Sequence, residues 1–250
     1  MQRKEPIPVN QDIAIVGMAG IFPGAHDLDL FWQNIIHKVN TIREVSRSRW
    51  DADEMFDSEL RCRDKIYSKW GGFLDDIAFD PTEYGIVPVS LKYIEAMQLV
   101  ALKIATMAFK DAGMEGKNLP KKQTAVIFGS GGMHDQCIDY IFRTMLMHYL
   151  PQMEGLSEDT RKHIMAVFGD RLPEWTEDSF PGMLSNVISG RTSNRFDLQG
   201  SNFTVDAACA SSLAALNVAI AKLRSGAPSI RHRKCQGNRL MHKKERTFWR

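Results

Sequence analysis

The sequence predicts an α/β fold with parallel strand pairing, and three observations carry that expectation. Two short apolar runs each end in glycine, Ile13–Gly17 (IAIVG) and Thr124–Gly129 (TAVIFG), the pattern of strands buried on both faces. Between them, Leu91–Asp111 spaces its apolar residues as a helix does. Strand, helix and strand in that order favour layered α/β packing.

The elements follow in chain order. Asp27–His37 reads as a first helix, and Arg47–Tyr84, polar, aromatic and rich in aspartate, as ordered loop. Leu91–Asp111 carries Ile94, Met97, Leu99, Leu102, Ile104, Ala105, Ala108 and Phe109 at helical spacing, with Gly113 as its C-terminal stop. Met133–Leu150 reads as a helix closed by Pro151, whose Ile138, Ile141, Phe142, Met145 and Leu146 are expected to pack. Ser157 is a candidate N-cap for a further helix to Phe168. Asn202–Asp206 (NFTVD) reads as a strand, and Ala210–Ser225 as a helix with Leu213, Leu216, Ile220 and Leu223 on one face and Gly226 at its end.

Composition removes several function classes. Hydrophobic residues at 44% and charged residues at 25% are globular values. The longest apolar runs fall short of the roughly 20 residues that span a bilayer, and residues 1–10 lack a secretory apolar stretch, so no membrane contact and a cytoplasmic location are expected. Cys62, Cys137, Cys209 and Cys235 form no C-x-x-C pair, which disfavours a disulfide framework or zinc ribbon. His134 and Cys137 share a helical turn without a second ligand pair, so no metal is expected. Gly129–Gly132 (GSGG) is not followed by Lys-Ser/Thr and reads as a turn beside the active site rather than a phosphate loop. Gly17, Gly20 and Gly24 do not make the dinucleotide fingerprint, and no G-x-S-x-G occurs. No bound cofactor is implied.

Charge divides the chain near Ile230. Residues 231–250 hold eight Lys or Arg against one acid, Glu245, while residues 1–230 are net acidic. Such a tail attracts nucleic acid or anionic lipid; without interleaved aromatics beyond Phe248 and Trp249 it reads instead as a disordered extension with no nucleic-acid partner.

Cys209 is the candidate for chemistry. It lies where a β-rich segment gives way to a helix of small residues, at unpaired backbone N–H groups and the positive end of the helix dipole. Donors and positive charge of that kind favour a thiolate, the form that serves as a nucleophile for thioesters. Ala207, Ala208 and Ala210 leave room for an acyl chain. The residues alone leave a second reading open, a cysteine among alanines packed as a small hydrophobe.

Val205–Leu213, VDAACASSL, resembles the active-site signature of β-ketoacyl synthases of type I polyketide synthases and polyunsaturated fatty acid synthases. Ile13–Ala25 resembles that family's opening strand and loop, Phe31–Trp50 its next helix and turn, and Phe79–Gly113 and Phe180–Gly200 the segments before its third and cysteine-bearing strands. The resemblance implies a thiolase-like fold, here its amino-terminal layer only, a mixed sheet with covering helices, over residues 1–230. It implies Cys209 as acyl acceptor, with its own N–H as one oxyanion donor, in decarboxylative Claisen condensation with a malonyl thioester. Substrates would ride on the phosphopantetheine of an acyl carrier protein, and the partners would be that carrier, a second copy or adjacent synthase domains.

The family's two catalytic histidines belong to H-G-T-G-T and N-x-G-H motifs, and neither occurs in these 250 residues; His232 and His242 sit in unrelated contexts. The expectation is a truncated fragment, incompetent in condensation, or alternatively a non-catalytic scaffold that dimerises with intact ketosynthase chains.

Overall fold

The structure, a computed structural model, describes residues 12–59, 62–114, 120–131 and 134–225. The basic tail with His232 and His242, and the expected helix stop at Gly226, lie outside the described residues. The chain divides into two units, Ala14–Lys117 and Met1–Ile13 with Asn118–Arg250.

In the unit Ala14–Lys117, α1 (Leu28–Ile36) starts at Asp27, whose carboxylate accepts the Leu30 N–H at 2.8 Å. β1 (Ile42–Glu44) and β2 (Trp70–Gly72) pair antiparallel around the short α2 (Ala52–Met55). The helix expected from Leu91 begins later: Pro88–Tyr93 forms a 3-10 turn, Ile94 is extended, and α3 runs Ala96–Asp111 over buried Gln98, Ala101 and Leu102. Its end is the expected one. Gly113 takes φ +61°, and the N–H groups of Gly113 and Met114 close back on the carbonyls of Lys110 and Phe109, at 2.9 Å each.

The strand expected at Ile13–Gly17 does not form, and Ile15 is 72% exposed. Its apolar pattern encodes burial, but a strand also needs a neighbour's N–H and C=O groups, and none of the described residues supplies a ladder there. The segment runs instead against the end of α3. Met18 donates its N–H to Asp111 at 2.7 Å, and a β-carbon on Gly17 would stand 2.5 Å from the Ala108 carbonyl oxygen.

The second unit is built on β3 (Val126–Gly129) and β4 (Asn202–Val205), paired in parallel with Val126 opposite Asn202 and Gly129 opposite Val205. The connection between them carries α4 (Asp135–Tyr149), α5 (Glu158–Arg171), α6 (Ser179–Met183) and α7 (Val187–Arg195); α8 (Ser211–Arg224) follows β4. Both α7 and α8 pack on the strand pair. The first buries Ile188, Ser189, Thr192 and Ser193, the second Ser211 and Ala215. Gly200 lets the chain enter β4 close to β3: its N–H donates to the Thr124 carbonyl at 3.0 Å, where a β-carbon would overlap that carbonyl. The chain is therefore α/β as expected, with parallel and antiparallel pairing in separate two-stranded sheets.

Two helical faces differ from expectation. On α8 the stripe of Leu213, Leu216 and Leu223 faces outward, with Leu213 74% exposed, because the helix approaches β3 through its small residues. On α4, Tyr140 and neighbouring Leu150 are buried, while Ile138, Ile141, Phe142 and Met145 leave close to half of their surface exposed. Ring contacts there include Phe142 with Phe168 at 5.3 Å and Tyr140 edge-on to Trp175 at 5.1 Å. Helical periodicity identified both faces, but periodicity does not supply the surface that covers a face. Among the described residues no helix is long and apolar enough to cross a membrane.

Candidate active site

β3 and β4 point their carboxyl ends the same way, so the segments leaving them are neighbours. Ser130 extends the pairing by donating its N–H to the Val205 carbonyl at 3.1 Å. Residues 129–131 thus lie beside the turn that follows β4; Gly132, the last residue of the GSGG run, lies outside the described residues. The two glycines among them have steric reasons. A β-carbon at Gly129 would strike the Ser211 backbone, and one at Gly131 would stand 2.6 Å from Asp206 Oδ1.

Asp206 to Ala210 turn the chain from β4 into α8. Cys209 lies in the single 3-10 turn Ala208–Ala210, immediately before the helix, with an exposed residue surface and a free thiol. The residue is thus not buried. Ala207, Ala208 and Ala210 around it are also exposed, so the approach to the sulfur is uncrowded.

The turn is held by side chains that residue patterns did not single out. Ala208 has φ +49°, a left-handed conformation that L-residues other than Asn and Asp rarely hold. Asp206 Oδ1 accepts the Ala208 N–H at 2.9 Å; Ser211 Oγ accepts the Ala207 N–H at 2.9 Å and donates to the Ala208 carbonyl at 2.7 Å. The Ala210 N–H closes on the Ala207 carbonyl at 3.0 Å. Asp and Ser bracketing a turn are side chains that bond local backbone, a signal present in the sequence.

The other sequence candidates separate. His134 caps the start of α4 without a side-chain cap bond, and Cys137 lies in the first turn of that helix. Among the described residues no cluster of three or more His, Cys, Asp or Glu could hold a metal. Ser130 Oγ and His134 Nε2 are buried without a hydrogen-bond partner. A concavity lined by Pro120, Lys121, Lys122, Gln123 and Gln199 lies at the amino ends of β3 and β4, away from Cys209. Ligands of parallel sheets gather at the carboxyl ends, which is where the cysteine turn lies.

Comparison with known proteins fits that geometry. The family model described as Beta-ketoacyl synthase, N-terminal domain, matches residues 10–230. The chain belongs to that family of ketosynthases. A polyunsaturated fatty acid synthase protein of Thraustochytrium sp. is 34% identical over 216 residues, 86% of this chain and 8% of that protein. Polyketide synthase PksL of Bacillus subtilis is 39% identical over 132 residues, 50% of this chain and 3% of that protein. Among solved structures, an oxazolomycin ketosynthase domain from Streptomyces albus superposes with a TM-score of 0.61 at 26% identity, covering 84% of this chain and 31% of its own. A ketosynthase from module 6 of the bacillaene synthase of Bacillus subtilis gives 0.59 at 26% identity, with 84% and 29% covered. The chain therefore spans under a tenth of these synthases and about a third of the ketosynthase domains.

Proposed function

We propose that Cys209 accepts the acyl group in a ketosynthase half-reaction. The observation that carries this reading is one exposed free thiol in the turn between a parallel strand and the first residue of α8, within the residues that match the family's amino-terminal domain. A helix start concentrates unpaired N–H donors and partial positive charge, which stabilises the oxyanion of an attacked thioester.

In the proposed step the Cys209 sulfur attacks the carbonyl carbon of an acyl group held as a thioester on the phosphopantetheine of a carrier protein. The bond from that carbon to the pantetheine sulfur breaks, the proton lost from Cys209 leaves on the pantetheine thiol, and the acyl group stays on Cys209. In a complete condensation, a malonyl thioester then loses carbon dioxide and its carbanion attacks the acyl-cysteine. Family members stabilise that carbanion with two histidines, whose motifs do not occur in these 250 residues. Within these 250 residues the reading is confined to acyl transfer onto Cys209. It places the chain in the cytoplasm with a carrier protein, and a second copy or adjacent synthase domains, as partners.

The test is intact-mass analysis after incubation with an acyl-pantetheine thioester. The expected result is one acyl adduct, mapped to Cys209 and absent in Cys209→Ala. An adduct that persists in Cys209→Ala, or a folded chain that takes up no acyl group, overturns the reading.

A further inference from the structure

We infer that Asp206 and Ser211 are positioning residues for the acyl acceptor, acting through Ala208 to fix the direction of the Cys209 backbone; this rests on the reading of Cys209 as that acceptor. Ala208 is the left-handed residue of the turn. Its φ of +49° is unfavourable for alanine, which has no polar side chain to support the turn from within. Two peptide planes meet at its Cα, and each is held from outside. On one side, Asp206 Oδ1 takes the Ala208 N–H at 2.9 Å. On the other, the Ala208 carbonyl receives the Ser211 hydroxyl at 2.7 Å and the Ser211 N–H. Fixing both planes fixes both dihedral angles of Ala208.

The consequence falls on Cys209. The Ala208 carbonyl and the Cys209 N–H belong to one planar trans peptide and point in opposite directions. By anchoring that carbonyl, buried Ser211 sets where the Cys209 N–H points, and that N–H is the oxyanion donor of the proposed reaction. Ser211 is itself anchored, since its Oγ also accepts the Ala207 N–H at 2.9 Å. Asp206 is positioned from the segment leaving β3, where Gly131 leaves the space that its carboxylate occupies.

The experiment compares Asp206→Ala, Asp206→Asn, Ser211→Ala and Gly131→Ala with the parent chain. It follows acylation of Cys209 by acyl-pantetheine and, separately, iodoacetamide alkylation of Cys209 relative to Cys62 and Cys137 in the same sample. Asp206→Ala and Ser211→Ala are expected to slow acylation by about fivefold to about a hundredfold. Asp206→Asn keeps an oxygen for the Ala208 N–H and is expected to stay within about twofold of the parent. Gly131→Ala keeps every partner but displaces the carboxylate, and is expected to fall with Asp206→Ala. The Cys62 and Cys137 rates should not move.

Parent-like acylation in both Asp206→Ala and Ser211→Ala overturns the inference, as does an Asp206→Asn as slow as Asp206→Ala. Joint changes at all three thiols also overturn it, because they report a general loss of fold. A parent chain that takes no acyl group sinks the reading of Cys209 instead. The alkylation ratio then decides on the clamp: a change of about threefold or more in Asp206→Ala, restored in Asp206→Asn, supports it, and an unchanged ratio refutes it.

Discussion

Gly129 and Ser211 meet backbone to backbone: a β-carbon at position 129 would stand 2.5 Å from both the carbonyl carbon and the carbonyl oxygen of Ser211. Gly129 is the last residue of β3 and Ser211 the first of α8, so this approach sets how closely the helix lies against the strand end. A main chain cannot swing aside as a side chain does. Gly129→Ala must therefore move the start of α8, and overpacking of this kind costs about 1–3 kcal/mol. Urea unfolding should show the loss, with slower acylation of Cys209 beside it. An unchanged unfolding midpoint would refute the close-approach account.

The next residue is expected to behave in the opposite sense. Ser130 donates its N–H to Val205, but its buried Oγ has no hydrogen-bond partner. A buried hydroxyl left unpaired carries a desolvation cost without return. Ser130→Ala should leave stability unchanged or raise it by up to about 1 kcal/mol. A clear loss in the same urea titration would mean that the hydroxyl is bonded in solution.

Asp197 and Lys121 give a pH dependence whose sign is fixed. The hydrogen bond from Lys121 Nζ, at 3.0 Å, is the main cause that holds the Asp197 carboxyl below the usual carboxylate range; a bond from Gln199 and the charge of Lys121 add to it. A carboxylate depressed on folding stabilises the fold above its unfolded pKa of about 3.9, and that contribution is lost as pH falls through the lower folded value. The pair is solvent-exposed, so the effect is small and weakens with salt. The parent chain should be more stable than Lys121→Met near neutral pH and should converge with it in acid. A gap that persists in acid would assign the effect to packing instead.

The cysteine turn was legible because small residues between a β-rich run and a helical run mark a strand-to-helix junction, and the family signature named the residue within it. The order of β3, α4, α5, β4 and α8 could be followed for the same reason, since each is specified by its own local pattern. The outward Leu213, Leu216 and Leu223 of α8 were not legible. A stripe of leucines encodes a demand for cover, while the residues that α8 buries are Ser211 and Ala215, and it is the Ser211 backbone that meets Gly129. Ile13–Gly17 failed for a related reason, since an apolar pattern cannot say whether a ladder partner lies within the described residues. Asp206 and Ser211 were readable in principle, but their roles depend on the left-handed Ala208, which no residue-type preference predicts.

Cys62 offers a thiol whose chemistry is set by a neighbour rather than by a helix. Hydrogen bonding to the Asp57 carboxylate is the main cause that raises the Cys62 thiol above the ordinary range, with desolvation and the Asp57 charge adding to it, while the sulfur also lies 4.0 Å from the Arg63 carbonyl oxygen. Asp57 moves the other way, held low first by the Glu59 N–H at 2.9 Å and then by Cys62. Both directions put the proton on sulfur. Since thiolate is the reactive form, Cys62 should alkylate more slowly in the folded chain than in urea at about pH 8, and the gap should narrow as pH rises. Asp57→Ala should speed the folded rate by about threefold or more. Equal folded and unfolded rates, or a rate indifferent to Asp57→Ala, would show that this carboxylate does not hold the thiol in its protonated form.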